Sequence, residues 1–148
     1  LKGISIYGID RDKDAIDGAR KNLDFLAKEY DVEVKYTVTC DDSKKAPDMQ
    51  FGAIATETPL GKVLRKKPKA NEARKIILDF ESYMVPILKR LAKVKKKNAK
   101  IAITFPVVAD LHVNAGKVAS KCGLRVYIEP ILESREDQFV SRDIVVLG

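Results

Sequence analysis

Four acids stand where an apolar run gives out: Asp10 after ISIYGI, Asp41 and Asp42 after VEVKYTVTC, and Glu57 after FGAIAT. An ionised carboxylate only accepts hydrogen bonds, through two oxygens. At a strand end it suits a diol or an amino group. In open parallel sheets ligands bind beyond the carboxyl ends of the strands, so successive strands would deliver these acids to one rim. After Glu57 the chain reads Thr58, Pro59, Leu60, Gly61, a turn, and then a loop carrying Lys62, Arg65, Lys66, Lys67 and Lys69. Cations at that density suit the phosphates of a polyanion; a plain solvated face is the other reading.

The elements that must position these groups follow from periodicity. Ile4 to Asp10 is short, apolar and β-rich, a buried parallel strand. Ala15, Ile16, Ala19, Leu23, Leu26 and Ala27 recur at helical spacing, with Asp12 or Asp14 as the cap. Val32, Val34, Tyr36, Val38 and Cys40 alternate as in a half-buried strand. Phe51 to Thr56 is a further strand. Asn71 to Val94 is a long amphipathic helix with Ile76, Ile77, Phe80, Met84, Ile87, Leu88 and Leu91 on its apolar side, and Pro86 is expected to bend it. Lys100 to Val108 is a buried strand, Ala109 to Gly123 a helix, and Leu124 to Ser134 with Phe139 to Gly148 an antiparallel closing pair. The alternation predicts an α/β fold with a mostly parallel sheet.

The length of 148 residues fits one domain, and 45% hydrophobic with 33% charged residues is a globular balance. No apolar run approaches the roughly 18 residues of a membrane span, and no signal peptide opens the chain. Cys40 and Cys122 are far apart, and both are expected to be reduced thiols in or near the core of a cytoplasmic protein. The net charge of +7 favours a polyanion such as nucleic acid, or reflects only a lysine-rich surface. His112 is the single histidine, placed early in a helix with a structural or surface role, so a metal site has no support. Lys93 to Lys100 reads as cations at a helix C-terminus. Val107 and Val108 read as core, and Phe105 or Pro106 is a candidate base contact.

An acid after the second strand of a nucleotide-type fold suits a ribose diol, and an acid after the next strand suits an adenine amino group. The order of motifs resembles a class I S-adenosylmethionine (SAM)-dependent methyltransferase, more narrowly the THUMP-associated tRNA guanosine-N2 methyltransferases and their archaeal relatives. YGIDRDKDAIDGARKNL is similar to that group's second motif, TCDD occupies the place of its adenine-contacting turn, IATETPLG resembles its Thr-Asp-Pro-Pro-Tyr-Gly, and FVSRDIVVLG its closing strand. The resemblance runs from Ile4 to Gly148.

The resemblance implies a Rossmann-like sheet with SAM as cofactor and RNA, most simply tRNA, as partner. Asp10 would bind the cofactor's ribose and Asp41 or Asp42 its adenine, with Arg11 as a further cofactor-binding residue. Glu57, Thr58 and Pro59 would hold the target amino group, with Lys62, Arg65, Lys66, Lys67 and Lys69 on RNA phosphates. The sequence departs from the group at Glu57 (Asp in the group), Thr58 (Pro) and Leu60 (an aromatic). The group's first strand and glycine-rich loop precede the second motif and have no counterpart here. The chain, which begins Leu-Lys-Gly like the end of an upstream helix, is therefore expected to be part of a longer enzyme, a single partial domain spanning 1–148. The missing strand would be supplied by an N-terminal segment or by a second copy. Alternatives are a non-catalytic RNA-binding or assembly module of the same fold, or a DNA amino-methyltransferase. No Gly-x-Gly-x-x-Gly stretch supports a dehydrogenase.

Overall fold

In the computed structural model, which describes residues 4–59, 64, 66–134 and 138–148, the chain divides into two units, Leu1–Ala46 and Pro47–Gly148. The first is a strand-helix-strand unit. Strand β1 (Ser5–Asp10) and strand β2 (Lys35–Cys40) pair in parallel, from Ser5 opposite Lys35 to Asp10 opposite Cys40. Parallel neighbours need a crossover, and helix α1 (Lys13–Glu29) provides it. Asp12 caps that helix by accepting from the N–H groups of Asp14 and Ala15, at 2.8 and 3.4 Å. At Gly8 there is little room for a side chain: an added Cβ would stand 3.0 Å from Val38 Cγ1 on β2. Strand β2 starts later than the alternation predicts. Val32 still donates to the Ala27 carbonyl at 3.1 Å and Asp31 has a φ of 48°, so the helix-end turn takes the first residues of the expected strand.

The second unit holds strand β3 (Ile54–Thr56), helix α2 (Ala70–Val94), strand β4 (Ile101–Val108), the two-residue strand β5 (Leu111–His112), helix α3 (Ala115–Lys121), and strands β6 (Val126–Glu133) and β7 (Val140–Leu147). The sheet order is β3-β4-β7-β6, with β5 folded back on β4. Strand β3 is parallel to β4, and β7 runs antiparallel to both β4 and β6. Strands β3, β4 and β6 thus share one direction with a single closing strand against them, as the sequence predicts. Phe51 falls outside the β3 ladder and makes an isolated parallel bridge to Lys95.

The core of this unit lies between the helices and one sheet face. Helix α2 buries Ile77, Phe80, Met84, Ile87, Leu88, Leu91 and Val94, and runs unbroken through Pro86. Against it lie Ile101, Ile103 and Phe105 of β4 and Val145 and Leu147 of β7, all at most 1% exposed. The rings of Phe80 and Phe105 meet edge to face at 5.5 Å. The opposite sheet face, with Thr104, Ile144 and Ile131 in register, is less covered.

Three expectations are corrected. His112 is not in a helix. Ala109 and Asp110 take positive φ values of 48° and 65°, and that turn folds Leu111–His112 back against β4, leaving only Ala115–Lys121 helical. Phe105 and Pro106 are both fully buried, which removes them as base contacts. Cys40 is exposed, because β2 ends there at the surface; Cys122 is buried as expected, and that burial pushes its thiol pKa up. Replacing Phe105 with Ala should cost about 3–5 kcal/mol in denaturant unfolding. The same change at Phe25, which is 61% exposed on α1, should cost less than about 1 kcal/mol.

Candidate functional site

Both acid-bearing ends of the first unit's strands lie on one rim. Asp10 is the last residue of β1 and Cys40 of β2, and the Asp41 N–H donates to the Asp10 carbonyl at 2.9 Å. Asp10 Oδ1 accepts from the Asp12 N–H at 2.8 Å, which orders the turn into α1. Its Oδ2 has no hydrogen bond among the described residues, and the residue is exposed. Asp41 Oδ1 accepts from the Asp42 N–H at 2.7 Å and pairs with Lys45 Nζ at 2.9 Å. The Lys45 ammonium, then the Asp42 N–H, hold the Asp41 carboxyl below the usual carboxylate range. Asp42 caps the short 3₁₀ turn Ser43–Lys45 through the Lys44 N–H, at 2.8 Å. Arg11 is exposed beside Asp10, and its carbonyl accepts from Cys40 Sγ at 3.5 Å.

In the second unit Glu57 directly follows β3. Its exposed carboxylate is held by Arg142 Nη1, and Arg142 Nε also pairs with Glu133 Oε2 at 2.9 Å. Thr58 is only 4% exposed. Its N–H donates to Thr104 Oγ1 at 3.1 Å and its hydroxyl to the Thr104 carbonyl at 2.6 Å. The Thr58 side chain therefore pins the turn to β4. Pro59 is exposed. Of the basic loop, Lys62 and Arg65 lie outside the described residues. Lys66, Lys67 and Lys69 are exposed; Lys67 Nζ reaches Asp110 Oδ2 at 3.3 Å, and the Lys69 N–H donates to Glu72 Oε2 at 2.8 Å at the start of α2.

Two residues emerge that sequence reasoning passed over. Arg142 carries the bridge between Glu57 and Glu133. His112 Nδ1 lies 2.8 Å from Asp143 Oδ2, and Asp143 is 5% exposed. The signal for both was the charged pair Arg142–Asp143 inside the apolar strand VSRDIVVL. Among the described residues, no group of three or more His, Cys, Asp or Glu side chains could hold a metal ion, and no helix is long and apolar enough to cross a membrane.

No family model and no curated protein matches the chain in sequence. Solved structures do match in fold. Magnesium protoporphyrin IX methyltransferase from Synechocystis, with bound SAM, superposes with a TM-score of 0.65 at 13% identity, over 98% of this chain and 59% of that one. A SAM-dependent methyltransferase from Methanosarcina mazei gives 0.60 at 13% identity, over 99% and 83%. An O-methyltransferase from neocarzinostatin biosynthesis, in complex with S-adenosyl-L-homocysteine and 1,4-dihydroxy-2-naphthoic acid, gives 0.53 at 13% identity, over 98% and 42%. The chain is thus similar in fold to these methyltransferases. It spans 59% of the Synechocystis enzyme's length and 42% of the O-methyltransferase's.

Asp10, Asp41 and Asp42 belong to the first unit, and Glu57, Thr58 and Pro59 to the second. Replacing Thr58 with Val keeps the shape and the backbone N–H bond to Thr104 Oγ1, but removes the hydroxyl that donates to the buried Thr104 carbonyl. It should lower stability by about 1–3 kcal/mol in denaturant unfolding. Asp41 is a depressed carboxylate, so the stability it contributes is complete above the ordinary Asp pKa and is lost as pH falls through its lowered value. The pair is exposed, so the effect on stability is small. The direct check is a carboxyl-carbon NMR titration: Asp41 should titrate below an ordinary Asp, and Lys45→Ala should move its midpoint up.

Proposed function

We propose that the chain is part of a SAM-dependent RNA methyltransferase that modifies a tRNA base, with the exocyclic amino group of guanosine as target. The observation that carries the reading is the Asp10 rim, at the carboxyl end of a parallel pair in a chain with this fold. Asp10 keeps one carboxylate oxygen uncommitted among the described residues, and Asp41 and Asp42 stand beside it. Acceptors of this kind fit the donors of an adenosyl group: Asp10 for the ribose hydroxyls, with Arg11 at its side, and Asp41 or Asp42 for the adenine amino group. When bound, SAM supplies a methyl group on a sulfonium. Glu57 and the Thr58 carbonyl would accept from the target amino group and aim its lone pair, with Pro59 stiffening the turn. Lys62, Arg65, Lys66, Lys67 and Lys69 would meet phosphates.

Strand β1 pairs only with β2 and β3 only with β4 among the described residues. Each therefore leaves one ladder edge open, the kind of edge proteins normally cover. In this reading a strand from a preceding segment or from a second copy fills it. A second reading, a non-catalytic RNA-binding module, is favoured by the engagement of Glu57 with Arg142 and by Leu60 in place of a stacking aromatic.

Calorimetric titration with SAM tests the first step. Saturable heat is expected, weakened by about tenfold or more in Asp10→Ala, since a hydrogen bond to a charged acceptor is lost. Incubation with methyl-labelled SAM should then label tRNA and not duplex DNA. Binding of tRNA without any binding of SAM would establish the second reading instead. Label on duplex DNA alone, or binding of neither SAM nor tRNA, would overturn both.

A further inference from the structure

The second unit carries a hollow of about 500 Å³ bounded by β5, the start of α3, β6 and β7. Its walls are mostly apolar or small, including Val113, Gly116, Pro130 and Leu132, and its polar groups are His112, Asp143 and Glu129. Nothing in the reading above uses these groups.

The chemistry of the hollow follows from one buried carboxylate. Asp143 is 5% exposed, and its only side-chain hydrogen bond among the described residues is to His112 Nδ1, at 2.8 Å. A buried carboxylate needs a donor, so in the neutral form of the ring it selects the tautomer with the proton on Nδ1. That leaves Nε2 as an acceptor. The imidazole is half exposed, and Nε2 has no partner among the described residues. The hollow thus offers a neutral acceptor whose orientation is set from behind, as in catalytic dyads. No Lys or Arg lines it, and two carboxylates do. Anionic ligands are therefore disfavoured, while a neutral donor on an apolar body is matched.

We propose that the hollow beside the His112–Asp143 pair is a binding site for a small neutral molecule with an apolar body and one hydroxyl group. The hydroxyl donates to His112 Nε2, and the body lies against Pro130 and Leu132. Asp143 is a positioning residue that touches the ligand only through His112. The site stands independently of the methyltransferase reading, since neither SAM nor RNA is needed to fill it.

The test uses the fact that His112 is the only histidine in the chain, so its ring signals in NMR are unambiguous. Phenol is the probe, with toluene and benzoate as matched controls lacking the donor or carrying a negative charge. Phenol should shift the His112 ring nitrogens saturably, with Nε2 moving most, along with the amides of Gly116 and Leu132. Toluene and benzoate should leave Nε2 in place. In Asp143→Asn the ring should populate both tautomers and phenol should bind about fivefold more weakly, the worth of about one hydrogen bond. His112→Phe, which fills the same exposed position without an acceptor, should remove the phenol-dependent shifts at Gly116 and Leu132. The proposal fails if phenol moves Nε2 no more than benzoate or toluene does. It fails equally if the Gly116 and Leu132 shifts persist in His112→Phe.

Discussion

Parallel strands cannot be joined by a tight turn, and most of this molecule's organisation follows from that restriction. A chain that leaves β1 must travel back along its whole length before β2 can start in the same direction, and α1 is that return path. The same holds for β3, α2 and β4. Because the strands of each pair point one way, their carboxyl ends collect on one edge, and residues just past those ends are neighbours by topology. Asp10 and Asp41 meet for this reason in the first unit; in the second, Thr58, just past β3, meets Thr104 in the middle of the longer β4. The return helix also supplies the apolar cover. Helix α2 packs on β4, and the Phe80–Phe105 contact lies in that seam.

The two units differ in how far burial goes. Among the described residues, the second holds nearly all of the buried apolar side chains, whereas the first buries only Ile16 and Ala46. Phe25, Leu26 and Tyr30 on and after α1 remain exposed. Local hydrogen bonds carry more of the order in the first unit: the Asp12 cap, the Asp10 turn, the Lys13–Asp17–Arg20 cluster and the Tyr36–Asp24 bond at 2.6 Å. Such bonds fix local geometry well and contribute little each to global stability.

Much of this was legible in the residues. The α1 and α2 stripes, the β4 run and the antiparallel closing pair are strongly periodic, and all appear close to the expected bounds. The rim of Asp10, Asp41 and Asp42 was legible because a charge that ends an apolar run marks the place where a strand leaves the sheet. The failures share a cause. The segment from Ala109 to Gly123 has helical composition throughout, but two non-glycine residues in the left-handed region fold its first part back as β5. Positive φ at Ala109 leaves no mark in residue type. His112 consequently looked like a surface histidine of a helix, and its carboxylate partner, 31 positions away in sequence, was hidden in a strand that otherwise reads as core. The ion pair of Arg142 with Glu57 was invisible for the same reason: it joins residues that only the sheet order brings together.

That shared guanidinium has a consequence for how the molecule can vary. One Arg, four-fifths buried, answers two acids at once, one just past β3 and one at the end of β6. The turn behind β3 and the tip of β6 are therefore tied through a single side chain. Three positions far apart in the chain thereby form one electrostatic unit, and a charge reversal at any of them would be felt at the other two.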